Sequence, residues 1–160
     1  MLRKLCILTI FVCLFCSACS DSKQEIKQRL LTSSDAEESA IYAKKVRELG
    51  LQGIPIFNEV ISSSIENQDN LSNYAKLMLS VKHLHDLAKE GVYSESSVPI
   101  LLDLLEKQRS IADSLITAEV VQTITGLDVG YNIDFVNSYT PSDEPKRKEM
   151  ISKWRSSVSG

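Results

Sequence analysis

The chain has 160 residues, 43% of them hydrophobic and 24% charged, with a formal net charge of −3, enough for one domain with a core of its own. The mild acidity argues against nucleic acid as a partner. All four cysteines fall within the first nineteen residues, so the remainder offers no disulfide, no thiolate metal ligand and no cysteine nucleophile.

Met1-Leu2-Arg3-Lys4 is a short cationic start, and the apolar run from Leu5 to Phe15 ends in the small residues Ser17 and Ala18 before Cys19. That order is the order of a secretion signal. The run is too short to span a bilayer, which needs about 20 apolar residues for a ~30 Å hydrocarbon core. The stretch "FCSAC" resembles the lipobox of bacterial lipoproteins, with Ser17, Ala18 and Cys19 in the family's places; the competing reading is an ordinary signal cut near Ala18. The resemblance implies cleavage after residue 18 and an acylated Cys19, which would anchor the protein in membrane lipid through two or three chains. Ser20, rather than aspartate, follows the cysteine. In a Gram-negative cell this implies the periplasmic face of the outer membrane. Removal of residues 1–18 leaves 142 and, with Arg3 and Lys4 gone, takes the charge from −3 to −5. In an oxidising periplasm such a chain must hold together by its core.

Residues 19–33 read as a polar tether with partial helicity, and 34–158 as the domain. Ser34 is placed to cap a helix, with Glu37 reaching back to the cap amide; Ile41, Tyr42, Val46 and Leu49 supply its stripe and Gly50 its left-handed stop. A second helix starts at Pro55, whose fixed φ suits the first helical position, with Ile56, Phe57, Val60, Ile61 and Ile65 as its apolar face. In the third, Leu71, Tyr74, Leu77, Met78, Val81, Leu84 and Ala88 recur at spacings of three and four, and Gly91 follows. The fourth begins at Ser97 and Pro99 and buries Ile100, Leu101, Leu104 and Leu105. The fifth, from Ser110 to Ile124, is apolar almost all round, as in a helix sandwiched between neighbours. The last runs from Pro145 to about Val158 and carries Met150, Ile151 and Trp154 among basic residues.

"IPIFNEVISS" at Ile54 and "VPILLDLLEK" at Val98 share an apolar-Pro-Ile start and the same apolar spacing. Pro55 and Pro99 lie 44 residues apart, and Pro99 and Pro145 lie 46 apart. A period of about 40 to 47 residues with two helices per unit is a mark of helical repeats that stack into a solenoid. Residues 34–158 resemble three HEAT-type helix pairs, and "TITGLDVGYN" with "EPKRKEMISKWRSSV" resembles a closing segment of bacterial HEAT-repeat lipoproteins, on Thr125, Gly126, Asp128, Gly130, Tyr131, Trp154 and Arg155. The fold this implies is all-α, a short right-handed α-solenoid of about three antiparallel pairs.

Few residues invite chemistry. His83 and His85 are the only histidines, and two residues apart on a helix they point about 200° away from each other. They cannot close on one ion without help from another helix, and no nucleophile signature accompanies them. "TGLDVGYN" lacks the Lys-Ser/Thr of a phosphate loop and follows a helix instead of a strand. It reads as a structural turn in which Gly126 ends the fifth helix, Asp128 caps or ties the turn and Tyr131 packs toward the final helix near Trp154. Lys146, Arg147 and Lys148, with Trp154, admit two readings. One is a patch for anionic headgroups or an acidic partner; the other, which is favoured, is a core tryptophan on a terminal helix whose basic residues solvate its outer face. The composite expectation is a lipid-anchored, non-enzymatic protein-protein interaction module with no cofactor. The alternatives are a periplasmic immunity or inhibitor protein, or a ligand-binding or enzymatic domain with a site near the His83-His85 helix.

Overall fold

The computed structural model describes residues 22–108 and 110–158, and every regular element among them is helical. The stretch read as a secretion signal, and Cys19 with it, lies outside the described residues. Eight α-helices are present among the described residues: α1 Lys23–Thr32, α2 Ala36–Glu48, α3 Ile54–Ser64, α4 Leu71–Lys89, α5 Val98–Lys107, α6 Ile111–Thr125, α7 Ile133–Ser138 and α8 Glu144–Ser157.

From α2 to α6 two kinds of helix start alternate. In α2, α4 and α6 a polar side chain, from Asp35, Asn70 and Ser110 respectively, accepts a hydrogen bond from an amide of the first turn, satisfying a donor that the helix itself cannot. In α3, α5 and α8 a proline stands in the first turn, where its missing amide costs nothing. Each proline helix follows a 3-10 turn, at Gly50–Gln52, Glu95–Ser97 and Pro141–Asp143, with Gly53 alone between the first turn and α3. The side-chain-capped helices α2, α4 and α6 each end at a glycine in the left-handed region, Gly50, Gly91 and Gly126, with φ of 56°, 79° and 67°. A cap, a glycine, a 3-10 turn and a proline thus recur in that order three times, the third time with α7 and its Asn132 cap between the glycine and the 3-10 turn.

Packing sorts the helices into two rows. α2, α4 and α6 lie side by side with α4 between the other two, and α1, α3 and α5 form the second row against them. Cross-links fix the directions. Arg47 near the end of α2 pairs with Glu90 after the end of α4. Tyr74 and His85 of α4 meet Asp113 and Glu119 of α6 in the same order. The three helices therefore run parallel. In the second row Lys107, at the end of α5, pairs with Glu66 just beyond α3, so these two also run parallel. The core between the rows includes Leu30, Val46, Phe57, Ile61, Leu77, Val81, Leu101, Leu104 and Val121, all inaccessible to solvent.

Four features differ from the expectations. The α2 cap is Asp35, whose carboxylate accepts from the Glu38 amide at 2.8 Å; a charged acceptor suits the positive helix end better than the Ser34 hydroxyl. The stretch read as a tether is the helix α1, and Ile26 and Leu30 sit in the core. The Lys76 ammonium reaches from α4 to the Leu31 carbonyl at 3.0 Å and ties down the end of α1. Between the turn at 125–132 and the last helix, where no element is expected, the chain forms α7, which buries Phe135 and Val136. Finally, α8 runs opposite to α5: Arg147 in its first turns donates to the Leu105 carbonyl near the end of α5, whereas Val158 lies beside Glu95 and Pro99 at the start. The third unit is therefore not an antiparallel pair, because residues 127–143 carry the chain back along α6 before α8 begins.

Candidate functional site

The two histidines project in different directions from α4. His83 stacks on Phe57 of α3, with ring centroids 5.7 Å apart and an interplanar angle of 23°. Burial, aided by Lys82, holds its imidazolium pKa below the ordinary histidine value, so the ring is neutral and works as a flat packing surface. His85 faces α6, where its Nε2 lies 2.8 Å from a Glu119 oxygen, at ion-pair distance but outside hydrogen-bond geometry.

A cleft of about 380 Å³ lies beside His85, walled by Lys89, Glu119, Gln122, Tyr131 and Asn132. One imidazole, one carboxylate and one ammonium can bind a polar group by hydrogen bonds and charge. They do not assemble a nucleophile, a base and an oxyanion site around one point, as acyl or phosphoryl transfer would need. Among the described residues, no three His, Asp or Glu side chains gather where they could hold a metal ion.

The most constrained polar assembly is at the closing end of the domain. Gly126 caps α6 at φ 67°, and the Gly130 amide donates to Asp128 Oδ1 at 2.8 Å. These two ties send residues 127–131 back along α6. Tyr131, almost wholly buried, exchanges a hydrogen bond with Ser114 of α6 at 2.6 Å and accepts one from Arg147 Nε at 3.2 Å. Its ring stacks on Trp154, centroids 6.1 Å apart, and meets Phe135 edge-on at 5.1 Å. The Trp154 indole donates to the Leu127 carbonyl at 2.7 Å.

Arg147 is buried within this assembly. Taking a lone guanidinium out of water would cost several kcal/mol, and here Tyr131, Glu144 and the Leu105 carbonyl surround it. Burial alone would lower its pKa, but the Tyr131 hydroxyl and the Glu144 carboxylate outweigh it and raise the value. Glu144 shows the converse balance. Burial would raise its pKa, yet the Tyr139 hydroxyl and the Arg147 guanidinium hold it below the usual carboxylate range. Both groups stay charged because each has a tyrosine hydroxyl bonded to it and the other's counter-charge beside it.

Of the residues read as a possible partner patch, Arg147 and Trp154 are thus interior and hydrogen-bonded. Lys146 and Lys148 are exposed, and the Lys146 ammonium sits 5.5 Å from the centre of the Phe135 ring. Nearby Lys153 pairs with Glu149 at 2.7 Å, and Arg155 with Asp103 and Glu106 at 3.0 and 2.9 Å. Most of the basic character of α8 is neutralised locally. The joining of Ser114, Tyr131 and Arg147 left no trace in residue spacing, because it depends on the chain folding back along α6; the His85–Glu119 approach depends in the same way on the register of α4 against α6. Comparison with protein-family models, with curated proteins and with solved structures finds no match to this chain.

Proposed function

We propose that this chain is a lipid-anchored envelope protein whose helical domain, a short α-solenoid, works as a non-enzymatic protein-protein interaction module. The observation that carries the reading is the threefold recurrence of side-chain cap, left-handed glycine, 3-10 turn and proline helix. Repeated units of this kind make extended surface and leave function to the exposed helix faces. The polar groups that could otherwise serve chemistry support the same view: Arg147, Glu144 and Tyr131 are spent on each other.

The anchor in this reading is membrane lipid on Cys19, placed by the "FCSAC" signal at the periplasmic face of an outer membrane. The partner is a protein, and no nucleic acid and no cofactor take part. A photo-crosslinking residue in place of exposed Lys44, Lys82 or Lys148, introduced in cells, tests it. A discrete protein adduct from at least one position is the expected result; no adduct from any of them, with a small molecule co-purifying, contradicts it.

The cleft at His85 favours a second reading, a small polar ligand held between α4 and α6. Native mass spectrometry of the purified protein distinguishes the two: under this second reading an added mass is retained by the native chain and lost on His85→Ala substitution.

A further inference from the structure

α2, α4 and α6 are parallel, so their left-handed glycines Gly50, Gly91 and Gly126 share one edge of the domain. Just beyond each glycine the chain exposes a large apolar side chain: Leu51, 61% accessible, Tyr93, 44%, and Leu127, 36%. α8 finishes at the same edge and adds Val158, 43% accessible, beside Glu95 and Thr125. Among the described residues the other large exposed apolar side chains are scattered: Ile41 lies along α2, Leu71 at the opposite edge and Ile133 on α7. Each of the four edge residues alone would be ordinary; gathered at one edge they call for an occupant.

The chain itself indicates which. α1 meets α2 through a turn of three residues, 33–35, and Lys27 pairs with Glu59 of α3 at 2.6 Å. α1 therefore runs alongside α3 and begins, at Ser22, on the edge that carries Leu51, Tyr93 and Leu127. Cys19 precedes Ser22 by three residues, which span at most about 10 Å even fully extended. A lipid on Cys19 would hold this edge, and no other, within reach of the membrane surface. The edge carries both signs of charge, with Lys23 and Lys89 set against Glu48, Glu95 and Asp128, so headgroup charge does not select it.

We propose that this edge rests on the lipid surface, with Leu51, Tyr93, Leu127 and Val158 entering the boundary between headgroups and acyl chains. Aliphatic side chains and a tyrosine suit that boundary, the tyrosine because its ring is apolar and its hydroxyl reaches water. The helices of both rows then stand steeply on the membrane. The opposite edge, with the α1–α2 and α3–α4 turns, faces away and is left free for a protein partner. The inference rests on the proposed acylation of Cys19.

The test uses single cysteines in the full-length protein, purified from bacterial membranes. All four native cysteines lie in residues 1–19, so after processing and acylation an introduced cysteine is the one free thiol. Leu51→Cys, Leu127→Cys and, as the control, Leu71→Cys are labelled with an environment-sensitive fluorophore. Each is reconstituted into phosphatidylcholine vesicles and, separately, into phosphatidylethanolamine–phosphatidylglycerol vesicles. Blue-shifted, brighter emission at 51 and 127 but not at 71, in both lipid mixtures, is the expected result. Equal emission at all three positions, or a shift confined to anionic vesicles, overturns the inference. Intact mass of the same preparations separates the two claims. A diacylglycerol-bearing chain with unshifted labels sinks only the edge contact, whereas a chain with an unmodified Cys19 sinks the anchor and the edge contact together.

Discussion

Gly53 is required for a reason that its backbone angles do not reveal. Its φ of −81° suits any residue, but a Cβ built there would lie 2.2 Å from the Val46 carbonyl oxygen, so α3 can start against the last turn of α2 only if no side chain intervenes. Gly53→Ala should cost about 1–3 kcal/mol, the usual range for forcing atoms into a packed site, read as a lowered denaturation midpoint. Tyr131→Phe removes the hydroxyl that links Ser114 to Arg147 and leaves a buried guanidinium short of a partner; a loss of about 1–3 kcal/mol in the same assay is expected. Glu144 sets a pH dependence. Its folded pKa lies below the ordinary value, so its stabilising contribution is complete above the unfolded glutamate pKa and is lost as pH falls through the lower folded one. Melting temperature should therefore fall as the solution is acidified below about pH 4.3, the ordinary glutamate value, and Glu144→Gln should make that decline shallower. At this scale the turn residues were legible, because glycine and aspartate act locally. Gly53 and the Tyr131 hydrogen bonds were not, since both depend on which distant backbone comes close.

Helix α1 shows how an element escapes a reading by pattern. Its ten residues have only Ile26 and Leu30 for a buried face, a spacing of four that a solvated tether could also contain. What makes it part of the domain is docking: Leu30 is wholly buried, and Lys76 holds the Leu31 carbonyl. Leu30→Ala should cost about 2–5 kcal/mol if the helix is packed as described, measured by chemical denaturation; an unchanged midpoint would return residues 23–32 to the status of a tether. α7 escaped for a related reason, being six residues long and embedded in polar sequence. The longer helices were legible where a sustained apolar pattern met a glycine stop, as for α4 by its spacing and α6 by its nearly continuous apolar run. Even there the pattern overreached at the ends. Leu71 satisfies the period of α4 but is 82% exposed, because the first helical position projects past the edge of the core.

For the whole molecule, the proline period pointed to repeated units, and the units recur in their start and stop chemistry. Direction was not legible, since no periodicity records whether α8 runs with α5 or against it. That depends on the length of residues 127–143 and on the Arg147 and Trp154 hydrogen bonds that fix where the returning chain lands. Parallel helices with their glycine ends on one edge, and a chain entering α1 at that edge, give the molecule a membrane side and a far side in the proposed account. No helix among the described residues is long and apolar enough to cross a membrane, and a few apolar side chains at an edge do not match the hold of acyl chains. The proposed attachment therefore depends on one residue, and fractionation of cells carrying Cys19→Ser tests it most directly. The native chain is expected in the membrane pellet and the variant in the soluble fraction; a Cys19→Ser chain that stays with the membrane would contradict the account.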